Sequence, residues 1–136
     1  MVEINNKTRS RIDLSLVKKV VEKFLKYYNI KNDISIAFVG DVTMRRLNKT
    51  YRSREEVTDV LAFPGEDDFL GEIIIDWAQI RRQASRYDLS EKKELIFVLV
   101  HGLLHLLGYE DKTERERREM IELGEKFLKR GLLYTI

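Results

Sequence analysis

Leu70-Gly71-Glu72-Ile73-Ile74-Ile75-Asp76 is the stretch on which the fold turns. Neighbouring side chains of a strand point to opposite faces, so three isoleucines in succession predict a strand covered on both sides. Asp76 is a residue type suited to capping a helix. Trp77, Ile80, Ala84 and Tyr87 follow at steps of three and four, the spacing of an inward helical stripe. Upstream, Asp59-Val60-Leu61-Ala62-Phe63 reads as a second strand, stopped by Pro64, the only proline. Gly65-Glu66-Asp67-Asp68 is the turn between the two.

The same patterning extends outward in both directions. Val2 to Asn5 is a short opening strand, and Leu14, Val17, Val21, Phe24 and Tyr28 mark an amphipathic helix with Lys18, Lys19, Lys23 and Lys26 on its other faces. Asp33 to Val39 alternates and is β-rich, which predicts another strand. Gly40 breaks it, and Asp41 is expected to cap a helix that carries Met44, Leu47 and Tyr51 inward. Arg52 to Glu56 is charged and without period, hence a loop. Ser90 caps a helix that runs through the two histidines. Thr113 to Glu116 fits a capping box that opens a last helix with Met120, Leu123, Phe127 and Leu128 inward. The sum is an α+β protein: a single domain over residues 1–136, with a small mixed sheet packed with about five helices. A helix between two strands predicts a parallel pair, so the sheet is expected to be largely parallel with an antiparallel strand.

Composition narrows the setting. A chain of 136 residues with 43% hydrophobic content can bury a core of its own. No apolar run reaches membrane-spanning length, and the first residues lack the apolar segment of a signal peptide, so a cytoplasmic protein without membrane contact is expected. With no cysteine, any metal must rest on imidazole and carboxylate. The net charge is only +2 but uneven: residues 1–60 carry 13 basic and 8 acidic side chains, residues 61–80 carry 5 acidic and none basic. A cationic first half suits a polyanion, although ordinary solvated helix faces give the same count.

The only two histidines, His101 and His105, lie four residues apart in His101-Gly102-Leu103-Leu104-His105-Leu106-Leu107-Gly108-Tyr109-Glu110-Asp111. On a helix that spacing puts both imidazoles on one face, roughly 6 Å apart in rise. Gly108 supplies a left-handed cap, and a chain that turns there can return Asp111 as a third ligand. Three protein ligands with the fourth position left to water describe a catalytic zinc site, so one divalent ion per chain, with zinc expected, is the reading. Buried helix histidines are often no more than hydrogen-bonded core residues; the glycine turn and the carboxylate favour the metal. The long zinc-protease motif has a glutamate general base after its first histidine, where this chain has Gly102, which can move no proton. Arg52 and Arg54 are candidates to hold a phosphoryl group, although either one taken alone reads as a surface loop charge. Glu66, Asp67 and Asp68 read as solvated turn residues rather than ligands, and Met120 as core.

These residues together resemble the YbeY family of bacterial endoribonucleases, which act as ribosomal RNA maturation factors. The resemblance rests on His101-Gly102-x-Leu104-His105-Leu106-Leu107-Gly108-Tyr109, on Asn48-x-x-Tyr51-Arg52 followed by Thr58-Asp59-Val60-Leu61-x-Phe63-Pro64, on Leu70-Gly71-Glu72-Ile73 and on Met120. It implies an α+β fold and metal-dependent hydrolysis of single-stranded RNA, tied to 16S rRNA 3′-end maturation and ribosome quality control, with rRNA and the ribosomal subunit as partners. It implies metal ligation by His101 and His105, with Asp111 where the family normally has a third histidine, and a part in activity for Arg52. Val57 stands where proline is usual and Ala62 where serine is usual. Two other readings share these residues: a non-catalytic ribosome or RNA-binding assembly factor with a structural metal, and a metal hydrolase of small esters or peptides.

Overall fold

The computed structural model describes residues 1–132; the last four residues of the 1–136 span lie outside it. Four strands, β1 (Val2–Asn6), β2 (Asp33–Val39), β3 (Val60–Pro64) and β4 (Phe69–Asp76), form one sheet in the order β1-β2-β4-β3. β1 and β2 pair parallel across the first helix, β2 and β4 pair parallel, and β3 returns antiparallel on β4. The helices are α1 (Leu14–Tyr27), α2 (Asp41–Arg52), α3 (Trp77–Arg86), α4 (Glu91–Leu106) and α5 (Glu114–Phe127), with a π-helical turn at Leu128–Leu132. The mixed sheet and the five helices agree with the sequence-based expectation.

β4 lies inside the sheet, and Ile73, Ile74 and Ile75 are all buried. Ile73 and Ile75 join Ile36 and Phe38 in the larger core, under α1, α3, α4 and α5. Ile74 faces the other way, into a smaller cluster with Val39, Met44 and Leu61 that α2 covers with Leu47. The isoleucine run is thus apolar throughout because helices pack on both faces.

Caps follow the local chemistry at four helices. Asp13 accepts from the Leu16 amide, Asp76 from Gln79 and Ser90 from Lys93, while Thr113 and Glu116 satisfy each other's amides as a capping box. α2 departs from expectation. Gly40 is its cap and Asp41 its first residue, because the Asp41 carboxylate is held by the guanidinium of Arg82 at 2.8 and 3.1 Å. Tyr51 was expected inside and is 63% exposed: it sits near the end of α2, where its ring packs edge-on against Phe63 instead of entering the core. Tyr87, past the end of α3, is likewise exposed. Arg52 belongs to the last turn of α2 rather than to the loop that follows.

Asp76 is fully buried, and its Oδ2 has no hydrogen-bond partner unless it carries a proton that it donates to Asp41. Burial, and then the Asp41 carboxylate beside it, push Asp76 up to about 7, whereas Arg82 and Asp76 hold Asp41 well below the usual carboxylate range. A carboxyl raised in the folded state stabilises fully below its unfolded value of about 4 and loses that contribution as pH climbs to the folded value. Asp76→Asn keeps the cap without the titration. The variant should therefore gain on wild type as pH rises from about 4 to 7, read as the difference in urea unfolding free energy.

Candidate metal centre

α4 is exposed over its first turn and mostly buried from Glu94 on, and both histidines lie half-buried in that second part. Gly102 faces the sheet: a Cβ there would lie 3.1 Å from Val60 Cγ2 and 3.2 Å from Ile73 Cγ2. The position that would carry a protease's general base is therefore pressed into the core. His101 and His105 sit on another face of the helix, each about one-fifth exposed. Below them Gly71, at φ +147°, leaves room for Leu106, whose Cδ2 would lie 2.8 Å from an added Cβ.

The end of α4 is a Schellman turn. Gly108 takes φ +100°, its amide donates to the His105 carbonyl, and the Tyr109 amide donates to the Leu104 carbonyl. That turn aims the Tyr109 carbonyl at His105 Nδ1, 2.9 Å away. A carbonyl only accepts, so Nδ1 carries a proton, and in the neutral ring that leaves the lone pair on Nε2, the tautomer that a metal ligand needs. The chain then brings Asp111 Oδ2 to 2.9 Å from His101 Nε2 and 3.6 Å from His105 Nε2. Burial pushes the Asp111 carboxyl up, but the hydrogen bond from His101 and the electrostatic pull of both histidines outweigh it and hold Asp111 below its ordinary range. It is an anion at neutral pH.

These three residues offer ligand atoms that all lie within 4.8 Å of one another. Ligands of a tetrahedral zinc, each ~2.1 Å from the ion, lie roughly 3.4 Å apart, so the cluster fits an ion after shifts of about an ångström or less. Two imidazole nitrogens and one carboxylate oxygen form a donor set suited to zinc, with room for a further ligand. A cation would take the place of the proton that joins His101 to Asp111.

His105 and Asp111 line a cavity of about 680 Å³ together with Asn48, Arg52, Arg54, Lys112 and Arg117. Arg54 is paired with Glu56, Lys112 with Glu110, and Arg117 donates to the Asp111 carbonyl. Among the described residues, Arg52 makes neither an ion pair nor a side-chain hydrogen bond. The structure thus gathers His101, His105 and Asp111 into one cluster, with Arg52 and Arg54 in the adjoining cavity. It leaves Glu66, Asp67 and Asp68 outside the cluster, on the turn between β3 and β4. Met120 is buried core, as its helical spacing predicts.

Asn48 escaped the sequence reading as a site residue and is only 2% exposed. Its Nδ2 donates to the Glu56 carbonyl at 3.0 Å, while its own carbonyl accepts from the Arg54 amide, so one residue holds the loop after α2 twice. Its Oδ1 is buried without a partner. The signal was present in the Asn48-x-x-Tyr51-Arg52 pattern, which has no local reason to need an amide.

A family profile described as Endoribonuclease YbeY matches residues 3–131. Among curated proteins, "Endoribonuclease YbeY" of Thermodesulfovibrio yellowstonii is 38% identical, over 93% of this chain and 94% of the relative. The protein of the same name from Acholeplasma laidlawii is 34% identical, over 97% of this chain and 98% of the relative. Among solved structures, TM1509 from Thermotoga maritima superposes with a TM-score of 0.68 at 27% identity, over 95% of this chain and 87% of that one.

Two outcomes are expected here. The apo protein should take up one divalent ion per chain, His105→Ala should abolish this, and Asp111→His should preserve it, as read by elemental analysis after dialysis. Asn48→Asp sets an oxygen against the Glu56 carbonyl and should cost about 1–3 kcal/mol in urea unfolding.

Proposed function

The chain belongs to the endoribonuclease YbeY family, and on that premise we propose that it is a metal-dependent, single-strand-specific endoribonuclease of 16S rRNA 3′-end maturation and ribosome quality control. Its substrate is RNA; the ribosomal subunit is its proposed partner and the cytoplasm its proposed compartment. No helix among the described residues is long and apolar enough to cross a membrane. The observation that carries the reading is the shared cavity: a two-histidine, one-carboxylate cluster opens onto a space walled by four cationic side chains. That is the combination a phosphodiester needs.

We assign the ligand role to His101, His105 and Asp111, with zinc as the ion. When bound, zinc polarises a phosphoryl oxygen and lowers the pKa of its water to about 7. The remaining work falls to the chain. His105 is held in its ligand tautomer by the Tyr109 carbonyl, and Asp111 stays ionised beside both imidazoles. Arg54, Lys112 and Arg117 are tied to neighbouring oxygens and set the positive wall along which a phosphate backbone runs. Arg52 has its fork free, so its guanidinium grips two phosphoryl oxygens and steadies the charge that grows on them. Asn48 keeps the loop folded back so that this wall faces the histidines. Gly102 contributes no proton acceptor, and besides Asp111 the carboxylates that share the cavity are Glu56 and Glu110.

Cleavage of single-stranded rRNA fragments, with chelator and with metals added back, tests the reading. Activity that survives complete metal removal would sink it. A protein that binds RNA and metal but never cuts is the assembly factor, and one that cuts only small esters or peptides is the other hydrolase. Arg52→Ala should leave metal content and melting temperature intact and slow single-turnover cleavage about a hundredfold, roughly 3 kcal/mol. Arg52→Lys should recover part of that, since the charge remains and the fork is lost. Wild-type rates in the Ala variant would end the claim for Arg52.

A further inference from the structure

The histidine pair stands between two cavities of opposite chemistry. On the side of His105 and Asp111 lies the basic cavity. His101 also lines a separate groove of about 240 Å³ between α4 and α5, walled by Phe97, Leu104, Met120 and Ile121. Phe97 and Ile121 are large apolar side chains left 49% and 42% exposed. The Phe97 ring lies within 23° of parallel to that of His101, with centroids 6.2 Å apart. Among the described residues, Glu125 is the one carboxylate in the groove's wall, and no lysine or arginine lines it.

This wall disfavours a phosphate, which would meet apolar carbon and a carboxylate with no cation beside it, whereas the other cavity offers four cations against three carboxylates. It suits a flat, uncharged ring that leaves water on its faces and keeps polar atoms on its edge. The groove adjoins the metal cluster through His101, and ligation through Nε2 uses the edge of that imidazole and leaves its stacking with Phe97 in place. Along a single RNA strand, phosphates and bases alternate, so a strand laid across α4 can offer the first to one side and the second to the other. We propose that the groove is a nucleobase site: Phe97 stacks a base next to the phosphate being cut. The proposal rests on the endoribonuclease reading and deepens it, because a base held in a duplex must first leave its stack and its partner, whereas an unpaired base enters freely. Preference for single strands is then a property of this groove.

The test uses the zinc-loaded full chain and single-stranded RNA oligonucleotides, with an abasic sugar placed in turn at each position flanking the cut. The KM of wild type should rise about tenfold, with kcat nearly kept, when the base that enters the groove is missing. Phe97→Ala should show the same loss on intact RNA and no further loss on that abasic RNA. Phe97→Trp should restore binding, and metal content and melting temperature should not move in either variant. Equal cleavage of intact RNA by wild type and Phe97→Ala would overturn the proposal. So would an equal loss by Phe97→Ala at every abasic position, or a lower melting point that Trp does not rescue. A wild-type dimer that Phe97→Ala turns into a monomer in light scattering would assign the groove to a second copy of the chain and overturn it too. If wild type cuts no RNA, the endoribonuclease reading itself fails and the base site falls with it. If wild type cuts and Phe97→Ala matches it, only the base site fails.

Discussion

Ile73, Ile74 and Ile75 leave water together, and adjacent residues of a strand can do so only when both faces of the sheet are covered. Helices must therefore stand on opposite sides of β4. α4 takes one side and α2 the other, with β3 as the edge strand between them. The chain from α2 to β3 has to round that edge. In doing so it carries Arg52, Arg54 and Glu56 into the cavity that receives His105 and Asp111. The meeting of a cationic loop with a histidine helix thus follows from covering one strand. The two parts of the site are brought together by the core.

Local turns supply the remaining precision. The Gly108 turn ends α4 and, through the Tyr109 carbonyl, fixes the tautomer of His105 in the same few residues. Asn48 does for the loop what Gly108 does for the helix, with an amide and a carbonyl in place of a left-handed glycine. Its unpartnered Oδ1 marks where satisfaction of polar groups gives way to the shape of the cavity.

The histidine pair, the carboxylate after the glycine turn and the caps at Asp76, Ser90 and Thr113 were legible because each depends on residues no more than ten positions apart. What depended on partners far along the chain was not legible. Asp41 looks like a cap in its own sequence, but Arg82, 41 residues away, claims its carboxylate. Tyr51 continues the inward stripe of α2 on paper, yet the helix there has no core left to enter. The insertion of β4 between β2 and β3, the burial of Asp76 against Asp41, and the groove that α5 closes against Phe97 are likewise products of tertiary packing.

The closeness of Gly102 to Val60 and Ile73 limits what this scaffold can be turned into. The Cβ of any larger residue there would start only 3.1 Å from Val60 and overpack, and a carboxylate would also be buried among aliphatic groups with nothing to solvate it. Redesign toward peptide hydrolysis by restoring the missing glutamate is thus blocked by the spacing between helix and sheet before any question of chemistry arises. New proton-transfer groups have an open route from the opposite wall, on the loop after α2, where side chains are exposed and the backbone is held by Asn48. An engineer would do well to leave the helix alone and rewrite the loop.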